Sequence, residues 1–490
     1  MMHPAVHEIA ILALMGVSGV GLAWLMGFRG VLPLTIAGLA ASISLRILSS
    51  VALWTFGLSS GHLEAWAAVS FLLGGIGLVL SRVAWKTTVS AIGLIGTASV
   101  LALGTKYILT IGEKEHSDSS GIVADALVAI QPGQLQPAEI GGILGEKRGP
   151  AYPLLLSLGP DERLFSAITP LIFLVTLIAL VWAIRELTPR STPRWVFGAV
   201  GMTIGAFSLS VPIFRASMFY LNSHTLMGLG LLLMTIGYLV TQRDQRFGAN
   251  ALWLTVLGGI IASTARSEGV ALAAVVLAAL SSLPVWDTIQ RRAMLGIALT
   301  ATGGTFAWWV IALDSPIADR VPGQPWTMFL LVVALVLFGA SPLIDPVRPH
   351  LLLTVGVMLA AYLGWVIASS ASPQSLLFAQ WPNLVEGAGG WGLAAPAAVI
   401  SLLLLGWRGQ SATYRSLIVV ASLVIGAIFA TKTLDGGGFG RASFFDSINR
   451  MYLHVMPMVL LATALGYISL LSRAFARHSQ RDSIKGTTEN

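Results

Sequence analysis

The sequence predicts an all-α polytopic membrane protein, a helical bundle of about 15 transmembrane helices with one long outward loop carrying short surface helices. Three observations predict it. Of 490 residues, 55% are hydrophobic and only 10% are charged, with a mean hydropathy of +0.81, too little charge to cover a water-soluble fold of this length. Apolar runs of about 18 or more residues recur, and each can cross a hydrocarbon core of about 30 Å as a helix. The basic residues gather in alternate loops, as a multi-pass topology requires. An outer-membrane barrel would show alternating segments of about ten residues instead.

The first four spans are expected near 7–27, 31–57, 63–80 and 88–112. Six more lie between 163 and 313, beginning with 163–186, 195–213 and 217–240. The last five, from 325–343 and 350–370 onward, end at 472. The segment Met1 to Glu8 lacks the positive stretch of a signal peptide, so the first span is expected to be retained. No internal repeat stands out, which argues against transporters built from duplicated halves.

One set of loops carries Arg29, Arg82, Lys86, Arg185, Arg190, Arg194, Arg243, Arg246, Arg291, Arg292, Arg348, Arg408 and Arg415. The C-terminal tail adds Arg473, Arg477, Arg481 and Lys485. The opposite set comprises 113–162, the Arg266–Glu268 turn, 314–324, 371–390 and 433–450, and it holds most of the acids. The positive-inside rule makes the basic set cytoplasmic. The expected protein therefore lies in the cell (inner) membrane, N-terminus outside and C-terminus inside. Its net charge of +7 is a topology signal, and no nucleic-acid partner is inferred. The absence of cysteine excludes disulfides and thiolate metal sites. The polar end from Ser479 to Asn490 is expected to be disordered.

The loop 113–162 is the longest polar interruption. Ile122, Val123, Ala126, Leu127 and Ile130 share a helical face, suited to a helix lying on the membrane surface. Asp118 stands just before it. Asp is a favoured N-cap, and a carboxylate at the membrane boundary is equally suited to act as a general base on an acceptor hydroxyl. At the loop's end, Arg148-Gly149-Pro150-Ala151-Tyr152-Pro153 returns the chain toward the membrane.

Ionisable residues at span edges are functional candidates by default. Arg266 and Glu268 share a tight turn and read either as an ion pair capping two helices or as an arginine held ready for a phosphate oxygen. His224, in Asn222-Ser223-His224, reads as a satisfied core histidine or a site group. Arg450 and His454 enter the last span from outside; Arg450 is an interface anchor or a second phosphate ligand. Arg46 and Lys106 read as structural. The Gly436–Gly440 run lacks the strand and Lys-Ser/Thr of a phosphate loop. No histidine pair has metal-binding spacing, while carboxylate sites for a divalent cation escape spacing rules.

Three segments together resemble the GT-C superfamily of polytopic glycosyltransferases, which use polyprenyl-phosphate-linked sugars. His116-Ser117-Asp118-Ser119-Ser120, with the surface helix and Arg148–Pro153, resembles the family's first outward loop. Ala265-Arg266-Ser267-Glu268-Gly269 is similar to its short Arg-x-Glu-Gly turn, and Asn449-Arg450-Met451-Tyr452 through Pro457 to the opening of a late span. The likeness covers residues 90–285 well and 440–470 loosely. It implies Asp118 as catalytic base and Arg266 and Arg450 as donor-phosphate ligands. It implies Tyr152, Arg148, His224, Glu268 and His454 as residues shaping the site. The implied layout is 1–87 as extra N-terminal helices, 88–285 as catalytic module, 286–472 as C-terminal helices and 473–490 as a cytoplasmic tail. Here the loop follows the fourth span instead of the first, and His224 stands where the family often has an acid, which counts against a second carboxylate and a carboxylate-bound divalent cation. The expected function is transfer of a sugar to a glycan, lipid or protein acceptor on the outer, periplasmic face. The alternatives are a transporter or flippase for lipid-linked saccharide, an O-antigen polymerase or ligase, and a non-catalytic assembly subunit.

Overall fold

The computed structural model describes residues 4–56, 62–109, 149–159, 165, 167–190, 192–219, 222–243, 250–281, 296–312, 380–406, 410–434 and 447–488, with single positions between 350 and 364. Among these residues the chain is all-helical. Seven stretches are long and apolar enough to cross a membrane, and four shorter apolar helices accompany them. The expected surface helix, the span at 325–343, most of 350–370 and the glycine run lie outside the described residues.

The first four helices are α1 (Pro4–Leu25), α2 (Val31–Thr55), α3 (His62–Leu80) and α4 (Trp85–Leu109). The apolar stretch Leu63–Lys106 is two of them, folded back at a 3-10 turn over Ser81–Ala84. Their directions follow from contacts. Gly21 of α1 lies against Gly74 and Gly77 of α3, and Gly74 also meets Ser18, so these two run parallel. Gly16 meets Ile95 while Glu8 pairs with Lys106, so α4 runs antiparallel to α1. Phe71, Leu72, Val83 and Leu101 are exposed on this pair. Exposed apolar side chains on two such helices suit a bilayer-facing flank.

After the loop, a six-residue helix α5 (Ala151–Leu156) is buried at every position. It is followed by α6 (Ile168–Leu187) and α7 (Arg194–Ser210). The expected span at 217–240 divides. Pro212 opens a separate α8 (Pro212–Phe219), and the Asn222 side-chain oxygen accepts from the His224 amide at 3.0 Å, starting a new helix, α9 (His224–Arg243). Then come α10 (Leu252–Ala265), α11 (Gly269–Ser281) and α12 (Thr305–Ala312), the last entered through a π turn at Thr300–Gly304. The C-terminal part is α13 (Ala394–Leu405), α14 (Ala412–Leu434), α15 (Ser447–Met451) and α16 (Met456–Thr488). The tail expected to be disordered continues α16 to Thr488. It has no proline, and Ala476, Arg477, Gln480, Arg481 and Lys485 are good helix formers.

Tertiary contacts sort the helix ends into two groups. One gathers residues near 8, 46–50, 106, 149–158, 222–224, 265–268, 389–391 and 449–454. The other gathers Gly27 with Asn250, and Leu187–Pro189 with Ser411–Thr413 and Ser472–Arg473. Where the loops are described, these groups fall with the acid-rich and base-rich sets, giving an acidic and a basic end of the bundle.

Candidate functional site at the acidic end

Helix α10 ends at Ala265 because Arg266 turns extended, with φ −153° and ψ 159°. The turn it begins is held by the end of the long loop. Gly149 donates its amide to the Ala265 carbonyl at 3.3 Å. This approach leaves no room for a side chain: a methyl on Gly149 would lie 1.9 Å from the Thr264 carbonyl oxygen. The following helix α5 is clamped from α2. The Arg46 guanidinium, fully buried, donates to the Leu154 carbonyl at 3.3 Å, the Ser157 hydroxyl at 3.1 Å and the Ser50 hydroxyl at 2.9 Å. Three acceptors satisfy a charge whose unpaired burial would be prohibitive. Arg46 is structural, as the sequence suggested, and what it holds is the segment carrying Tyr152. The Tyr152 hydroxyl bonds Thr169 at the start of α6.

The turn itself is polar and compact. Arg266 Nε pairs with the Glu268 carboxylate, and Ser267 donates to Glu268 Oε2 at 3.2 Å. Arg266 Nη1 donates to the Ser223 hydroxyl at 3.3 Å, tying the turn to the start of α9. One residue on, His224 Nδ1 meets His454 Nε2 at 2.9 Å. His454 is fully buried, and its Nδ1 has no hydrogen-bond partner among the described residues. Below the turn, Trp309 donates its indole N–H to the Ser263 carbonyl at 3.1 Å, closing the end of α10.

The charges follow from this packing. Glu268 and His454 stand just ahead of the apolar segments Gly269–Leu280 and Met456–Arg473. Burial alone would raise the Glu268 carboxyl. Arg266 in contact, together with His454, outweighs it and holds the group below the usual carboxylate range. Burial pushes the His454 imidazole down to about 3; Glu268 opposes this and Arg266 adds to it. At neutral pH the turn is an ion pair beside a neutral His454. Glu268 fixes the guanidinium, and among the described residues Ser223 accepts one further N–H.

The structure therefore brings Tyr152, Arg266, Glu268, His224 and His454 to one end of the bundle. Asp118 and Arg148 lie outside the described residues. Arg450 is half-buried one turn before His454. Its segment is locked: Asn449 donates to the Gly389 carbonyl at 2.8 Å and accepts from the Trp391 indole at 2.6 Å, while Tyr452 donates to Gln380 at 2.7 Å. Sequence reasoning missed Ser223 and this Asn449–Trp391 lock. Asn222-Ser223 directly before a histidine was the available signal for the first, since both residue types favour helix starts. Nothing in the spacing linked residue 391 to 449. Among the described residues no group of three or more His, Asp or Glu is arranged to hold a metal. No family model, curated protein or solved structure matches the chain.

Proposed function

We propose that the protein is an integral membrane glycosyltransferase of the GT-C type. It transfers a sugar from a polyprenyl-phosphate donor to an acceptor hydroxyl at the outer face of the cell membrane, with inversion. The observation that carries this reading is the convergence of the loop's closing segment, the Arg266–Glu268 turn and the His224–His454 pair at the acidic end. These are the segments that a resemblance to the family would require together.

The chemistry is a single displacement. The acceptor oxygen attacks the anomeric carbon while the bond from that carbon to the phosphate oxygen breaks. The hydroxyl proton passes to the Asp118 carboxylate. Negative charge grows on the departing polyprenyl phosphate, and Arg266, held in place by Glu268 and Ser223, stabilises it. The donor's polyprenyl chain stays in the bilayer, which puts its phosphate at the height of the helix ends.

The test uses the full chain in nanodiscs with radiolabelled polyprenyl-phosphate hexose and a cell-envelope glycan extract as acceptor. Asp118→Asn should retain donor binding and release no polyprenyl phosphate. Arg266→Gln should weaken binding of unglycosylated polyprenyl phosphate at least about tenfold, equivalent to about 1.4 kcal/mol. Turnover in the first variant removes Asp118 from the base role. Undiminished phosphate binding in the second removes Arg266 from the donor site.

A further inference from the structure

At the opposite end of the bundle a cavity of about 440 Å³ opens between the last residues of α6, the first residues of α14 and the middle of α16. We propose that it binds the headgroup of an anionic glycerophospholipid from the leaflet at the basic end. Five observations carry this, and none depends on the glycosyltransferase reading.

The cavity sits at the membrane boundary. It is reached where three apolar stretches end or begin: Ile168–Leu187, Ala412–Phe429 and Met456–Arg473. Its lining has two characters. Leu465 and Ile468 lie one to two turns deeper along α16, while Thr413, Ser469, Ser472 and Arg473 stand toward the end. That order matches a lipid, whose acyl chains begin directly below the phosphate. A soluble anion would leave the apolar half unused.

The charge is also suited. Arg473 Nε donates to the Ser469 carbonyl at 3.2 Å, and among the described residues no carboxylate pairs with it. The neighbouring acid Glu186 lies 4.0 Å from Arg185 and does not line the cavity. A guanidinium with uncommitted N–H donors beside several hydroxyls is a phosphate-binding arrangement. The volume, about 440 Å³, falls within the range of ligand pockets, about 300–1,000 Å³. Finally, the cavity joins helices far apart in sequence. A lipid seated there would bridge α6, α14 and α16, and would stabilise the bundle by binding only its folded form.

The test uses the full chain purified in a neutral detergent. Phosphatidylglycerol, phosphatidylcholine or inorganic phosphate is added, bound lipid is counted by native mass spectrometry and thermal unfolding is followed. Phosphatidylglycerol should remain bound and raise the unfolding temperature, with little effect from the other two. Arg473→Gln should cut its retention about tenfold and abolish the shift without changing the lipid-free unfolding temperature. Ile468→Trp, which fills the deep half and keeps the charge, should do the same and serves if Arg473→Gln fails to fold. Equal retention of phosphatidylcholine, a shift reproduced by inorganic phosphate alone, or undiminished retention in both variants would overturn the proposal.

Discussion

The two ends of the bundle are built on different principles. At the acidic end, buried polar groups are satisfied by partners far away in sequence: Arg46 by residues 154 and 157, Gly149 by 265, Arg266 by 223, His224 by 454 and Asn449 by 389 and 391. At the basic end a long-range polar contact among the described residues is Asn250 with Gly27, and an open cavity lies between α6, α14 and α16. The difference is costly. A desolvated polar group without a partner loses about 1–3 kcal/mol. Among the described residues, six segments are assembled around such groups at the acidic end. Such an arrangement suits the site proposed above, where charge must be oriented toward a ligand.

The contact whose loss should separate the two ends most sharply is the approach of Gly149 to α10. Gly149→Ala drives a methyl into the Thr264 carbonyl, a backbone atom that no rotamer change relieves. The expected cost is about 3 kcal/mol. Sugar transfer should fall with it, because the turn carrying Arg266 must shift. Unfolding in detergent and donor turnover are the measurements, and an unchanged unfolding temperature would show that the loop's closing segment is not part of the acidic-end assembly.

The sequence was most legible where one residue type answers one physical need. Hydropathy found the helices of the first four spans within a few residues, and the alternation of charge sorted the loops into the two sets that the contacts join. Arg266 and Glu268 were readable because two opposite charges in a turn between apolar segments must either pair with each other or meet a ligand. His454 was readable as a polar residue entering a span. The lock of Asn449 onto Trp391 and Gly389 was not, since the distance in sequence carries no trace of a hydrogen bond between two loops. The division of residues 212–243 into α8 and α9 was also hidden. An apolar run records burial in lipid but not where the chain turns within it, and Pro212 and Asn222 supply that information only locally.

A smaller effect tests the charge state of the same end. Burial pushes the His454 imidazole in the folded chain down to about 3 from an ordinary 6.5. A depressed value means that the unfolded chain takes up a proton first. Stability is therefore fully present above pH 6.5 and is lost as pH falls toward about 3. Between pH 7 and pH 5 the loss from this one group is about 2 kcal/mol. Glu268, also held low, adds its loss only below the ordinary 4.5. Thermal unfolding of the wild type should weaken from pH 7 to pH 5, and His454→Gln should flatten that dependence while leaving the acid side below 4.5 intact. An equal slope in the variant would assign the pH dependence to other groups.

The smallest effect belongs to the basic end. Asn250 donates its amide to the Gly27 carbonyl at 3.2 Å, across the turn between α1 and α2. The site is only partly buried, so water can replace the lost donor. Asn250→Ala should cost about 1 kcal/mol, the net worth of one neutral hydrogen bond. Its effect should not vary between pH 7 and pH 5, because neither partner titrates, and donor turnover should be unchanged. A loss of turnover comparable to that of Gly149→Ala would mean that the two ends are mechanically coupled through α10, whose first turn follows Asn250 and whose last residue meets Gly149. An unfolding shift without that loss would leave the basic end as an anchor for the helices and the acidic end as the place where their polar groups are set to work.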